Sequence, residues 1–139
     1  MSSFSNLVAS MTRFNTLSSK DIAATLQSGR RYRSRSLLVF VDPLSASSSE
    51  NAESLSGKLA FIAPKRLGSA VLRNRCKRLL RAGMVSALGV VEVHDIYDKN
   101  NIILMATSRT IEVDSVQITE ELAQIFDKVV RSEAIDVTT

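Results

Sequence analysis

The chain has 139 residues, of which 45% are hydrophobic, and a formal net charge of +4 at pH 7. This length suits one hydrophobic core, so we expect a single domain. Cys76 is the only cysteine and His94 the only histidine, which excludes an internal disulfide and a thiolate metal cluster, and we predict neither a catalytic nor a metal site. A single cysteine also suits the reducing cytoplasm, where we expect the protein to act.

The basic residues are concentrated in the first two thirds of the chain. Residues 1–89 contain 14 Lys and Arg against 4 Asp and Glu, whereas residues 90–139 contain 4 against 10. Residues 58–81 hold eight cations and no acid. Because a solvated surface usually mixes both signs, this pattern favours a polyanionic partner, either a nucleic acid or an anionic membrane.

The first residues of the chain have neither the basic start of a secretory signal nor the length of a membrane span. We predict an extension over residues 1–12, a domain over residues 13–132 and a tail over residues 133–139.

The first predicted element is a helix over residues 19–28. Ser18 and Asp21 have the spacing of a capping box, and Gly29 offers a left-handed stop after the helix.

Two strands and a loop follow. The sequence RRYRSR, residues 30–35, can form an edge strand, and SLLVFV, residues 36–41, has the β-branched and aromatic content of a strand. Alternation places Leu38 and Phe40 on one face of that strand. Residues 42–57 are rich in serine and acidic residues, which predicts a flexible loop.

The second half of the domain contains two further strands and a helix at its end. KLAFIAP, residues 58–64, and NIILMAT, residues 101–107, are predicted to form a parallel pair joined by a crossover helix. Apolar residues at helical spacing predict a last helix over residues 115–131, with Asp114 and Gln117 as its cap pair. Between these elements we place His94 beside a turn, and Asp95 and Asp98 in a loop.

The crossover helix begins near Ala70 and has a cationic face. With about 100° of rotation per residue, one half of the helix surface carries Arg73, Asn74, Lys77, Arg78 and Arg81. Arg75 lies at the flank of this face. The opposite side is apolar and is expected to be buried; it consists of Leu72, Cys76, Leu79, Leu80, Gly83 and Ala87.

Phosphate groups are suitable partners for this face. Like charges on one helix repel, and arginine binds two phosphate oxygens at once while condensed counterions are released. Lys65 and Arg66 precede the helix and add to an anion site at its N-terminus. A DNA major groove, a structured RNA and an acidic lipid would each accept this face, although its apolar side is committed to the core, which argues against a membrane.

The segment AVLRNRCKRLLR, residues 70–81, resembles the Arg-Asn-Arg motif helix of the bacterial ribonuclease P protein subunit. The resemblance extends over about residues 13–130, and it rests on the spacing of Lys65-Arg66, Gly68, Ala70-Val71, Arg73-Asn74-Arg75, Lys77-Arg78 and Arg81. It implies a single α+β domain, an α-β-β-β-α-β-α sandwich of the kind found in domain 2 of ribosomal protein S5, with a left-handed βαβ crossover that departs from the usual right-handed rule.

The resemblance also implies a function. A protein of this family pairs with a catalytic ribonuclease P RNA and helps to remove the 5′ leader of precursor tRNA, while the RNA and its Mg²⁺ ions perform the cleavage. No protein partner is implied. The absence of carboxylates from residues 58–81 agrees with this division of labour, since metal-dependent nucleases need carboxylates beside the scissile phosphate.

Site residues carried over from the family fall into two groups. The leader cleft maps to Ile22, Leu26, Leu38 and Phe40. Arg73, Asn74, Lys77 and Arg81 would line its basic side, and Lys65, Arg66, Arg75 and Arg78 would contact the catalytic RNA. The first-helix positions are often aromatic in the family, so Ile22 and Leu26 imply a weaker grip by stacking; simple core packing is the competing interpretation of both. A ribosomal or chaperone-like RNA binder and a DNA-binding regulator remain alternative functions.

Overall fold

The computed structural model describes residues 16–43 and 58–138. Its helices are α1 (Ser19–Ser28), α2 (Ala70–Ala87), α3 (Val91–Lys99) and α4 (Ser115–Thr138). Its strands are β1 (Arg30–Arg33), β2 (Leu37–Pro43), β3 (Leu59–Ile62) and β4 (Asn100–Ala106). Short 3₁₀ helices cover Lys65–Leu67 and Thr110–Glu112. The predicted α+β class is confirmed, with one helix more than expected.

The strands form one mixed sheet in the order β1-β2-β4-β3. Strand β2 pairs antiparallel with both β1 and β4, whereas β3 and β4 are parallel. The predicted parallel pair is therefore present, and its crossover contains both α2 and α3. The left-handed sense of that crossover stays a prediction. Among the described residues, no helix combines the length and the hydropathy that a bilayer span requires.

Each face of the sheet has its own apolar cluster, as the alternation in β2 predicted. Leu37, Val39 and Val41 are buried in the larger cluster together with side chains of α2, α3 and α4. Phe40 belongs to the smaller cluster, against which Leu38 and two side chains of α1 pack. Helix α1 and helix α2 consequently lie on opposite faces of the sheet.

Helix α1 begins as predicted but ends differently. The Ser18 hydroxyl accepts a hydrogen bond from the Asp21 amide at 3.2 Å. Gly29 is extended, with φ −71° and ψ 154°, so the predicted left-handed stop is wrong: the chain passes directly from the helix into β1. Glycine is needed here for space, since a Cβ atom would lie 2.5 Å from the carbonyl oxygen of Thr25.

Three further predictions differ from the structure. His94, Asp95 and Asp98 lie in α3 rather than in a turn and a loop, because Val93 and Ile96 are buried at helical spacing. Helix α4 continues to Thr138 instead of ending near residue 131, so most of the predicted tail is helical. In the predicted loop over residues 42–57, Asp42 and Pro43 belong to β2. Its remaining residues, and the predicted extension over residues 1–12, lie outside the described residues, and the next described segment begins at Lys58.

A buried carboxylate fixes the turn between β1 and β2 to α4. Glu121 is 4% exposed and accepts hydrogen bonds from the Ser34 hydroxyl, from the Ser36 amide at 2.8 Å and from the Gln117 side chain at 3.0 Å. Burial raises the pKa of Glu121, but these hydrogen bonds more than offset that effect and hold its pKa below the ordinary value. The carboxylate is therefore an ionised structural group.

We expect Glu121→Ala to lower the free energy of unfolding by about 3 kcal/mol at pH 7, because the buried Ser36 amide loses its acceptor. Glu121→Gln keeps an acceptor oxygen and should cost about 1 kcal/mol. The lowered pKa means that the carboxylate stabilises the fold above its unfolded pKa of about 4.3, and that this contribution is lost as the pH falls through the lower folded value. Urea unfolding from pH 7 to pH 3 measures both effects.

The glutamine variant is the control for the pH dependence. Its stability difference from the wild type should shrink as the solution is acidified, since the wild-type carboxylate becomes protonated while the amide does not titrate. A constant difference across this range would contradict the assignment of Glu121 as an ionised group.

Candidate nucleic-acid interface

The connection from β3 to α2 places two cations before the N-terminus of α2. After Pro64, Lys65–Leu67 form a 3₁₀ turn, and Gly68 follows with φ +135°. This backbone conformation favours glycine. The Ser69 hydroxyl then accepts a hydrogen bond from the Leu72 amide at 3.3 Å and caps α2. Lys65 and Arg66 are thereby held exposed at this end of the helix.

The buried side of α2 agrees closely with the predicted apolar side. Its buried residues are Cys76, Leu80, Gly83, Met84 and Ala87, while Leu72 and Leu79 are half-buried. Burial raises the pKa of the Cys76 thiol, an effect that the neighbouring Arg75 opposes. The cysteine is therefore a small core residue, as its isolation in the sequence predicted.

Helix α2 packs closely against α4 at Gly83. A Cβ atom added to Gly83 would lie 2.8 Å from the Cβ atom of Ile118 and closer still to its Cγ2 atom. Ile118 itself is fully buried. Glycine at this position allows the two helices to approach, which positions the basic side of α2 relative to the sheet.

Two arginines connect the cationic side of α2 to the edge strand β3. The Arg73 side chain donates a hydrogen bond from Nε to the carbonyl oxygen of Ala63 at 2.9 Å. The Arg81 guanidinium lies 5.5 Å from the centre of the Phe61 ring, within the range of a cation–π contact. Lys77 lies between these two arginines along the helix and is half-buried. This side of α2 therefore follows the outer edge of the sheet.

The other predicted polar residues of α2 point away from the core. Asn74, Arg75 and Arg78 are exposed. Within residues 16–43, 58–90 and 93–131, the close pairs of basic and acidic side chains are Lys58–Asp21, His94–Asp98 and Arg131–Asp127. Lys58 is thus neutralised, whereas the seven cations between residues 65 and 81 have no acidic partner in the described part of the chain. Their mutual repulsion is offset best by a polyanion.

The sheet face beneath α1 consists of two cross-strand rows. The first row is covered except at Arg31, which is exposed at its β1 end. It consists of Arg31, Phe40, Ile103 and Ala60. Phe40 is 9% exposed, and Ile22 and Leu26 of α1 pack against its cluster. The second row is more open, with Leu38, Met105 and Ile62 all half-buried; it consists of Arg33, Leu38, Met105 and Ile62.

The position of α1 explains why the second row is open. At its start, Asp21 pairs with Lys58 at 3.7 Å, and at its end the Ser28 hydroxyl donates to Asp42 at 3.2 Å. Lys58 precedes β3 and Asp42 lies near the end of β2, so α1 crosses the end of the sheet that holds the first row. Leu38 consequently lies in the open part of the predicted leader cleft, whereas Phe40 lies beneath the helix.

The predicted site residues therefore form two groups. Ile22, Leu26, Leu38 and Phe40 are brought together on the α1 face. Arg73, Lys77 and Arg81 belong to α2, which packs on the opposite face, and they run along the edge of β3. The role of both groups in binding one leader stays a prediction.

A third group of candidate site residues was not predicted from the sequence. Arg31 and Arg33 of β1 are exposed and line an open cleft of about 420 Å³ together with Arg66, Leu38, Leu67, Thr107 and Ser108. The signal was the alternation in RRYR: Tyr32 packs on the larger apolar cluster, so the residues on either side of it must point to the α1 face. Residues 30–35 were predicted only as an edge strand, with no face of the sheet assigned to their arginines.

The described residues contain one group of side chains with the proximity of metal ligands, formed by His94, Asp95 and Asp98. Asp95 and Asp98 are exposed, and His94 Nδ1 lies 3.2 Å from an Asp98 carboxylate oxygen one helical turn away. All three belong to α3, and none lines the cleft that Arg31 and Arg66 share. We interpret this group as a surface ion pair with a neighbouring acid.

Comparison with known proteins gives one family and one fold. The profile of the family described as Ribonuclease P matches residues 11–130. The RNase P protein of Thermotoga maritima superposes with a TM-score of 0.62 at 18% identity, covering 84% of this chain and 97% of that chain. For the RNase P protein of Staphylococcus aureus the TM-score is 0.60 at 22% identity, with coverage of 84% and 95%. No curated protein matches the sequence.

Proposed function

The chain belongs to the Ribonuclease P family, and we propose that it is the protein subunit of a ribonuclease P ribonucleoprotein in the cytoplasm. In this proposal it binds the catalytic RNA and the 5′ leader of precursor tRNA, and thereby promotes 5′ maturation by endonucleolytic cleavage. The observation that carries the proposal is the set of seven cations on α2 and the preceding turn that have no acidic partner among the described residues. Such a surface requires a polyanion.

Two RNA molecules would meet this surface on different sides. Arg75 and Arg78, together with Lys65 and Arg66, are exposed and available to a large folded RNA. Arg73, Asn74, Lys77 and Arg81 would hold leader phosphates along the edge of β3. The apolar contact to leader bases would come from Leu38, with Ile22, Leu26 and the edge of the Phe40 ring beside it. A cationic wall next to an apolar platform is the usual arrangement for binding a single strand.

The chemical step is assigned to the RNA. Mg²⁺ needs oxygen ligands and keeps several waters, and it is commonly held through phosphates together with one or two carboxylates. Residues 58–81 contain no Asp or Glu, so this surface offers cations where a protein-held metal would need carboxylates. The protein residues would bind and orient the two RNAs, while the Mg²⁺ ions would be held mainly by the RNA subunit.

Reconstitution tests this proposal. The purified chain, mixed with a bacterial ribonuclease P RNA at low Mg²⁺, should restore cleavage of precursor tRNA, because its cations replace part of the counterion charge that the RNAs need. Lysozyme or another basic protein of similar charge serves as the control. If no ribonuclease P RNA were stimulated, the proposal would fail; if stimulation occurred but did not depend on the 5′ leader, the chain would act as a general structured-RNA binder.

A further inference from the structure

Three arginines from two distant segments meet beside Leu38. Arg31 and Arg33 lie two residues apart on β1 and therefore point to the same face of the sheet. Arg66 comes from the 3₁₀ turn that precedes α2. All three line the open cleft of about 420 Å³, a size typical of ligand-binding clefts. The cleft is therefore bounded by cations on the β1 side and on the α2 side.

The side chains of these arginines have no polar partner among the described residues. In the part of the chain that the structure describes, their guanidinium groups make neither a hydrogen bond nor an ion pair, and Arg31, Arg33 and Arg66 are all exposed. The cleft also offers the side-chain hydroxyl group of Ser108, whereas the Thr107 hydroxyl already donates to the Ser36 carbonyl oxygen at 3.1 Å. Three unpaired guanidinium groups and one hydroxyl group around one opening form a donor set suited to phosphate oxygens.

Leu38 determines which phosphate-bearing ligand fits best. It is half-buried in the open second row, next to Met105 and Ile62, so an apolar strip continues from the cleft across the sheet. A folded duplex presents phosphates on its outside and keeps its bases inside, and it would leave this strip without a partner. A single strand presents phosphates and unstacked bases together, which matches a cationic border beside an apolar floor.

We propose that Arg31, Arg33 and Arg66 bind a backbone phosphate of the single-stranded 5′ leader where the leader crosses Leu38, so that Arg66 contacts the leader instead of the catalytic RNA. The proposal rests on the proposed function and deepens it, since β1 then holds the leader from the side opposite α2. The leader would then contact residues on both sides of the sheet, and not only the cationic side of α2. Arg31 and Arg33 of β1, which lie outside the motif helix, would fix the path of the leader.

The experiment compares Arg31→Gln/Arg33→Gln with the wild type in the reconstituted complex with a bacterial ribonuclease P RNA. Affinity is measured by fluorescence anisotropy for a precursor tRNA with a ten-nucleotide leader and for the same tRNA without a leader. We expect about a 30-fold loss of affinity for the leader-bearing RNA, because two charge-assisted hydrogen-bonding groups are removed. The salt slope should fall by about 0.7, the value for one phosphate of the single strand that is no longer neutralised. Affinity for the leaderless tRNA should not change.

Two matched variants separate phosphate binding from a structural effect. Arg35→Gln removes an exposed arginine of the turn that follows β1, and this arginine does not line the cleft. The variant should leave leader affinity at the wild-type value. Arg31→Lys/Arg33→Lys keeps both charges but loses the planar fork, so it should preserve the salt slope and lower the affinity less than glutamine does.

If the glutamine variant preferred leader-bearing to leaderless tRNA as strongly as the wild type does, the inference would be wrong, while the proposed function would stand. An equal loss for leader-bearing and leaderless tRNA would overturn it too, since the cleft would then contact the tRNA body or the catalytic RNA. A wild-type complex that ignored the leader would overturn both the inference and the proposed role in leader binding.

Discussion

Replacing Arg75 and Arg78 together by glutamine is expected to weaken binding to ribonuclease P RNA by about 30-fold. Both side chains are exposed on α2 and have no acidic partner in the described residues. Two charge-assisted contacts of about 1 kcal/mol each give this factor. The logarithmic salt dependence should fall by about 1.8, with about 0.9 for each phosphate no longer neutralised on helical RNA. Filter binding at several salt concentrations measures both values.

Arg75 and Arg78 are preferred for this test over Arg73 and Arg81, which also contact β3. Substitution of Arg73 would remove the hydrogen bond to Ala63 and mix a folding effect with a binding effect. Glutamine has nearly the helix propensity of arginine, so α2 should remain intact in the double variant. The control is Arg131→Gln, which removes an exposed arginine of α4. An unchanged salt slope in the double variant would show that these side chains do not meet phosphate.

Gly83→Val is expected to lower the free energy of unfolding by about 3 kcal/mol. The first added atom already lies 2.8 Å from the Cβ atom of Ile118, and the two additional methyl groups of valine have to enter a core in which Ile118 and Leu122 are fully buried. Overpacking of this kind forces helices apart or side chains out of their preferred rotamers. Guanidinium unfolding monitored by circular dichroism gives the difference.

The neighbouring substitution Ala82→Val separates packing from helix propensity. Ala82 is exposed on the same helix, so valine there should cost only about 0.6 kcal/mol, the difference in propensity between alanine and valine. If both variants lost the same stability, the contact between α2 and α4 at Gly83 would not be the cause. Because α2 carries the cations, Gly83→Val should also weaken RNA binding in proportion to the unfolded fraction.

The elements that were predicted correctly are those with a strong period. In β2, Leu38 and Phe40 alternate with Leu37 and Val39, and the two sets enter different apolar clusters. In α2, the buried residues from Cys76 to Ala87 recur at helical spacing over about three turns. Periodicity reports which side of an element is apolar, and the core enforces that choice.

The predictions that failed depend on what lies next to an element. Gly29 looked like a helix stop, but its conformation is set by the strand that begins at the following residue. Helix α3 is short and bears several charges, so only the burial of Val93 and Ile96 against the core identifies it. The exposure of Phe40 was not predicted at all; it depends on where α1 crosses the sheet, which no pattern within β2 records. Tertiary packing, which a single sequence does not show directly, decided all three.

The contact between Arg73 and Ala63 has a consequence for solubility. An outer strand exposes backbone groups that can pair with a strand of another molecule. Along β3, the Leu17 amide donates to the Leu59 carbonyl oxygen and Arg73 donates to the Ala63 carbonyl oxygen, so both ends of that strand are already occupied. The opposite outer strand, β1, carries arginines at three of its four positions. Under the proposed function these arginines would therefore serve twice, since their positive charge, besides meeting RNA, discourages strand-to-strand association of the protein before it binds RNA.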